Sequence, residues 1–155
     1  MRKKGMILLY PSYQQQQSSQ GYGVSPQVLE IIKESISGEA NGSAYYKKLS
    51  QLAPNPYAKK TLEKMSKDEY EHYQMFSQAY QYLTGQQVQP DMKPVNIKNY
   101  RQGLLEAFED EITDYEKYRD TYLMTQNPLI RDLFFRPMSD EIKHATRINF
   151  LLQMI

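Results

Sequence analysis

From Ser25 onward, apolar residues recur at three- and four-residue spacing, and the run breaks only where proline, asparagine or glycine intervenes. Val28, Leu29, Ile32, Ile36, Ala40, Ser43 and Leu49 predict a first helix that starts at Pro26, is capped by Ser25, and runs to Leu52-Ala53. Pro54-Asn55-Pro56 is a tight break. Leu62, Met65, Glu69, His72, Phe76, Ala79 and Leu83 predict a second helix, which Gly85 stops. The stretch 86–97, rich in glutamine and holding Pro90 and Pro94, reads as a connector. Leu104, Leu105, Phe108, Ile112, Tyr115 and Tyr118 predict a third helix over about 98–125, with these side chains on one face. Asn127-Pro128 breaks the chain again before a fourth helix through Leu133, Met138, Glu141, His144, Ile148 and Leu151, which Pro137 should kink or interrupt. Four long helices, two tight turns and one long connector predict an all-α, four-helix bundle over residues 26–155.

Before residue 26 the pattern fails. Gln14–Gln17, Ser18, Ser19, Gln20, Gly21 and Gly23 bury little, so residues 1–25 are expected to form a flexible Gln-rich N-terminal arm. Its apolar patch, Met6 to Tyr10, is shorter than the roughly 7–15 residues of a secretory signal. No segment approaches the roughly 20 apolar residues that span a bilayer. A cytoplasmic protein with no membrane partner is the expectation.

Nineteen basic residues against eighteen acidic ones leave a formal net charge of +1, which supplies no electrostatic case for nucleic acid. There is no cysteine. Disulfides, thiol catalysis, iron–sulfur clusters and a rubredoxin-type Cys₄ iron site are therefore excluded within the chain.

An internal repeat changes the picture. At an offset of 72 residues, Glu34 matches Glu106, Glu39 matches Glu111 and Tyr46 matches Tyr118. Asn55-Pro56 likewise matches Asn127-Pro128, and Asp68-Glu69 with His72 matches Asp140-Glu141 with His144. The same helix–turn–helix hairpin thus occurs twice, and the matched positions are mostly ones that a packed core would not choose.

Glu39 and Glu69 lie 30 residues apart with the first turn at their midpoint. At about 1.5 Å per residue each stands roughly 22 Å from that turn, so the two face one another at one height. Glu111 and Glu141 have the same spacing about the second turn. Both histidines of the chain, His72 and His144, stand three residues after a glutamate, which puts imidazole and carboxylate on one helix face. Two hairpins packed about a pseudo-twofold would gather four carboxylates and two imidazoles inside the bundle. Burying that much negative charge is prohibitive without a counter-charge. Two divalent cations would supply it, and a carboxylate–imidazole set suits iron or manganese. The bland alternative is a set of solvated charged faces, and a structural zinc site is a further one.

These residues resemble those of the ferritin-like di-iron carboxylate proteins, nearest to the rubrerythrin and bacterioferritin types, over residues 26–155. That pattern places a glutamate on the first helix, Glu-x-x-His on the second, a glutamate on the third and Glu-x-x-His on the fourth. Here the places hold Glu39, Glu69 with His72, Glu111, and Glu141 with His144. The resemblance implies that Glu69 and Glu141 bridge two iron ions while Glu39 and Glu111 are terminal ligands. It also implies that Tyr46 and Tyr118 hydrogen-bond within the site and that Asp68 and Asp140 orient the opposite histidine. Rubrerythrins carry a further glutamate three residues after the third-helix ligand; Asp114, one methylene shorter, stands there.

The function implied is an oxidoreductase that reduces peroxide or O₂, as a peroxidase or ferroxidase, with electrons from an external donor. Iron storage and a structural, coat-associated role are the alternatives. A homodimer is the simplest assembly. The pseudo-twofold would run helices two and three parallel, so the connector must travel along the bundle. Thirteen residues at about 3.3 Å each reach roughly 43 Å, enough for the task; a short loop in up-down-up-down order is the alternative.

Overall fold

The structure, a computed structural model, describes residues 23–155. What was expected of residues 1–22, most of the arm and its apolar patch, lies outside the described residues. Four helices follow in order: α1 (Pro26–Ser50), α2 (Pro56–Thr84), α3 (Tyr100–Met124) and α4 (Pro128–Leu152).

Local chemistry starts and stops each one. Ser25 Oγ accepts the Val28 N–H at 3.2 Å, and Asn55 Oδ1 accepts the Ala58 N–H at 2.9 Å. Asn99 and Asn127 do the same for α3 and α4 through Gln102 and Leu129. Such caps satisfy otherwise orphaned N–H groups and are worth about 0.5–2 kcal/mol each. Proline opens α1, α2 and α4, where its missing N–H costs nothing. Gly85 ends α2 with φ +73°, the left-handed turn that glycine alone adopts without strain, and its N–H returns to Gln81 O at 2.8 Å.

The connector takes the long route. Asp91 N–H donates to Ser37 Oγ at 3.0 Å, Lys93 N–H to Asn41 Oδ1 at 2.7 Å, and Lys48 Nζ to Val95 O at 3.0 Å. Rising connector numbers meet rising α1 numbers, so the segment runs parallel to α1 and delivers α3 to the far end of the bundle. The α1–α2 and α3–α4 hairpins are thereby joined by a crossover, with α2 and α3 parallel. At the landing point, a Cβ on Gly103 would lie 2.6 Å from Leu49 Cδ1 and 2.8 Å from Ile97 Cγ2. Glycine lets the first turn of α3 close on α1 there without displacing either side chain, and Tyr45 OH donates to Gly103 O at 3.0 Å.

Two apolar cores fill the ends of the bundle. At one end Val28, Ile32, Ile36, Met75, Phe76, Tyr118, Ile130, Leu133 and Phe134 pack together. At the other, Tyr46, Leu49, Ala58, Leu62, Met65, Leu104, Ala107, Ile148 and Leu151 do so. Each fully buried Leu, Ile or Phe among them stabilises the fold by about 1.5–3 kcal/mol.

Two expectations need correction. Of the two outcomes expected at Pro137, interruption does not occur: α4 continues through it from Pro128 to Leu152, and the residue is buried. On α3 the buried face is Gly103, Leu104, Ala107, Glu111, Tyr118 and Thr121, whereas Leu105 is 40% exposed. Phe108, Ile112 and Tyr115 are only partly buried. Among the described residues no helix is long and apolar enough to cross a membrane.

Candidate metal centre

Between the two apolar ends lies a layer of buried polar groups. Glu39 on α1, Glu69 and His72 on α2, Glu111 on α3, and Glu141 and His144 on α4 are all at most 4% exposed. The structure therefore brings all six sequence-predicted groups to one interior place. Each hairpin delivers its two glutamates level across the helix pair, as their spacing about the turns requires.

The geometry divides the six into two overlapping sets. His72 Nδ1 faces Glu39 Oε2 at 3.3 Å, Glu141 Oε1 at 3.4 Å and Glu69 Oε2 at 3.9 Å. His144 Nδ1 faces Glu69 Oε1 at 2.8 Å, Glu141 Oε2 at 3.4 Å and Glu111 Oε1 at 3.5 Å. Glu69 and Glu141 thus offer one oxygen to each side. Within each set, one ligand atom per residue lies within 4.8 Å of the others.

Behind these groups the contacts cross between hairpins. His72 Nε2 bonds Asp140 Oδ2 at 2.8 Å and His144 Nε2 bonds Asp68 Oδ2 at 3.1 Å. An Nε2–H donated outward to aspartate turns Nδ1 inward, the arrangement that orients a ligating histidine. Tyr46 OH donates to Glu111 Oε1, and Tyr118 OH donates to Glu39 Oε1. Asp114 stands apart: its carboxylate is half-buried and tied to Lys117 Nζ at 2.6 Å, and neither ligand set includes it.

The unpaired atoms of the donor set fit a pair of cations. Glu69 Oε1, Glu111 Oε2, Glu141 Oε1 and His144 Nδ1 are buried without a hydrogen-bond partner. His144 Nδ1 and Glu69 Oε1 lie 2.8 Å apart, yet do not meet along a hydrogen-bond line. Two ligand atoms aimed at a common cation would have this relation. Unpaired buried polar atoms are costly, and two divalent cations would satisfy all four. Four carboxylates and two imidazoles fit such a pair.

Electrostatics tell the same story. Burial, then the charge of Glu69, pushes the Glu39 carboxyl up to about 8 against the pull of His72. Burial and the neighbouring Glu69 and Glu39 raise Glu141 well above the usual carboxylate range. For Glu69, burial works upward, but the neighbouring Glu39, His144 and His72 outweigh it and hold the carboxylate ionised. Burial alone would deprotonate His72 and His144, but the aspartates and glutamates around each ring more than reverse this. Burial, then Glu111 for Tyr46 and Glu39 for Tyr118, keeps both phenol protons in place. Burial raises Asp114 too, with Lys117 opposing and Glu39 adding to the rise.

Sequence reasoning missed the cations on the α2–α4 face. Lys143 Nζ contacts Asp140 and lies 3.8 Å from Asp68 Oδ2. Arg136 bonds Glu71 at 2.6 Å and lies 3.9 Å from Asp140. Their spacing from Asp140, three residues on and four before, was the available signal.

Helix order, crossover and buried layer together define a ferritin-like four-helix protein. The sequence pattern of the rubrerythrin family matches residues 30–152, and the chain belongs to that family. It is 30% identical over 131 residues to the uncharacterised protein YhjR of Bacillus subtilis, a match covering 84% of this chain and 90% of that one. Among solved structures it is similar to the bacterioferritin-related dodecameric thioferritin of Bacteroides fragilis, at 12% identity and a TM-score of 0.71, over 82% of this chain and 84% of the other. A second likeness is to a two-domain protein of Anabaena variabilis with DJ-1/ThiJ/PfpI-like and ferritin-like domains. That match has 15% identity and a TM-score of 0.68, and covers 86% of this chain and 38% of the longer one.

Proposed function

We propose that the chain is a di-iron oxidoreductase that reduces peroxide or O₂, in which Glu39, Glu69, His72, Glu111, Glu141 and His144 would hold two irons, Glu69 and Glu141 being common to both ligand sets. The observation that carries this reading is the pair of overlapping ligand sets sharing Glu69 and Glu141. Membership of the rubrerythrin family favours iron over manganese or zinc. When bound, the irons supply the two electrons that the oxidant takes.

The chain's own residues do the rest. Asp140 and Asp68 fix the imidazoles so that Nδ1 faces inward. Tyr118 and Tyr46 hold their protons on the phenol oxygens and pin one oxygen each of Glu39 and Glu111. The apolar cores at both ends keep bulk water out. With no cysteine in the chain, the electrons come from outside this helical bundle or from Fe(II) itself. A cytoplasmic homodimer remains the simplest setting.

The test is stopped-flow spectroscopy of anaerobically Fe(II)-loaded protein mixed with peroxide and, separately, with O₂. Ferric absorption growing within seconds is expected with one or both. No ferric product with either removes the enzyme reading. The likeness to a dodecameric thioferritin favours iron storage as a second reading. Column sizing with iron titration separates the two: a small oligomer taking about two metals per chain excludes a storage shell.

A further inference from the structure

The buried layer has four seams and two ends, and side chains lie across five of these six approaches. Apolar cores fill the ends. The α1–α2 seam is stitched by Ser43 Oγ donating to Ser66 O at 2.8 Å and Ser66 Oγ donating to Ser43 O at 2.7 Å. On the α3–α4 seam the places equivalent to those serines carry the bulkier Tyr115 and Met138, both partly buried. Over the α2–α4 seam lie Asp68, Asp140, Lys143 and the Arg136–Glu71 pair.

The α1–α3 seam differs. Its two helices approach each other along less of their length than do those of the other three seams. Tyr45 on α1 reaches Gly103 O and Glu106 on α3, which fixes the face that α1 turns toward α3. Gly42 lies three residues earlier on that face. It is partly exposed, yet a Cβ built on it would stand 3.5 Å from both Cγ and Oε2 of Glu69, a residue only 4% exposed. A partly exposed position of α1 therefore lies a single added carbon away from contact with a buried carboxylate whose other oxygen, Oε1, has no hydrogen-bond partner. The repeat-mate of Gly42 is Asp114, half-buried and paired with Lys117. One side of the seam is thus bare, and the other carries a carboxylate and an ammonium.

We propose that the α1–α3 seam at Gly42 and Asp114 is the portal by which metal ions and oxidants of about the size of water reach the buried carboxylates, with Gly42 setting its width. The inference rests on the two-metal reading above. It makes Gly42 a determinant of access and leaves ligation to the six residues already named.

The chain has no cysteine, so Gly42→Cys creates a unique thiol that can be blocked reversibly as a mixed disulfide with a bulky reagent. Gly38→Cys, one turn away on α1, where an added Cβ meets nothing within 4 Å, is the control. Uptake of Co(II) is followed by visible absorption in a stopped-flow instrument, and equilibrium affinity by titration. Blocking the thiol of Gly42→Cys should slow uptake by roughly tenfold or more, because a close-packed interior offers no comparable detour. Affinity should stay within about threefold, reductant should restore the rate, and the blocked Gly38→Cys protein should load normally. Unchanged uptake by blocked Gly42→Cys overturns the portal while leaving the metal site intact. Failure of the unmodified protein to take up Co(II) at all overturns the two-metal reading, and the portal with it. Because blocked and reduced samples share one folded chain, a loss reversed by reductant is not a folding defect.

Discussion

The middle of this bundle and its two ends obey the same internal symmetry in different degrees. In the middle, the ligand pairs and the partners behind them match: Glu39 with Glu111, Glu69 with Glu141, His72 with His144, Asp68 with Asp140 and Tyr46 with Tyr118. At the ends the pairs keep only their apolar character. Ile32 matches Leu104, Leu62 matches Phe134, Phe76 matches Ile148 and Ala58 matches Ile130. One end is consequently aromatic, with Phe76, Phe134 and Tyr118 at ring-centroid distances of 5.2–5.6 Å, and the other largely aliphatic. Packing asks for volume and shape, which several side chains supply together. A ligand set asks for particular atoms at particular places, and nothing else substitutes.

The comparison breaks most sharply at the bridges. Glu141→Gln keeps shape and hydrogen-bonding capacity, and burial already holds this carboxyl protonated in metal-free protein. Its metal-free stability should therefore stay within about 1 kcal/mol of wild type, while metal analysis shows at least one ion lost per chain. Two ions retained would end the bridging assignment. Next in size, Phe134→Ala at the aromatic end should cost about 3–5 kcal/mol in denaturant unfolding, with metal stoichiometry unaltered. A smaller effect falls behind the histidines: Asp140→Asn should weaken metal binding roughly 10–100-fold by loosening the hold on His72. An unchanged titration would show that the 2.8 Å contact does not position the ring.

Acidity supplies a further test. Glu39, with its carboxyl near 8, and Glu141, His72 and His144, all raised, hold protons at neutral pH when no metal is bound. Ligation displaces them, so metal binding should release protons and weaken as pH falls, by about tenfold per pH unit for each proton released. Calorimetry in buffers of different ionisation enthalpy at pH 6.5 and 7.5 measures this; a heat independent of buffer contradicts it. Smallest of all, Phe134→Leu, which installs the residue found at its mate Leu62, should cost less than about 1.5 kcal/mol by the same unfolding assay. A cost matching that of Phe134→Ala would mean that the aromatic end is no more forgiving than the centre.

The fold was legible because the chain punctuates itself. Proline, asparagine and glycine mark the turns, and the spacing of Glu39 and Glu69 about the first turn sets their common height. The six central groups and their tyrosine and aspartate partners were legible through the repeat, since coordination chemistry holds identities fixed. Where the repeat lapses, so did the reading. Lys143 answers to Glu71 and Arg136 to Lys64, so neither showed its place over the aspartates. On α3, Leu105 looked like core and Ala107 did not, because tyrosines and acidic residues blur the apolar stripe. Gly103 carries no pattern of its own; its importance arises from Leu49 and Ile97, which are remote in sequence.

The crosswise contacts have one more consequence. Each hairpin reserves its tyrosine and its aspartate for the other: Tyr46 serves Glu111, Tyr118 serves Glu39, and the aspartates exchange histidines in the same way. A lone helix pair of this kind is therefore a half with the socket for its own duplicate. Two identical copies meeting about a dyad would assemble the whole interior, and the crossover strand serves only to keep the second half always at hand.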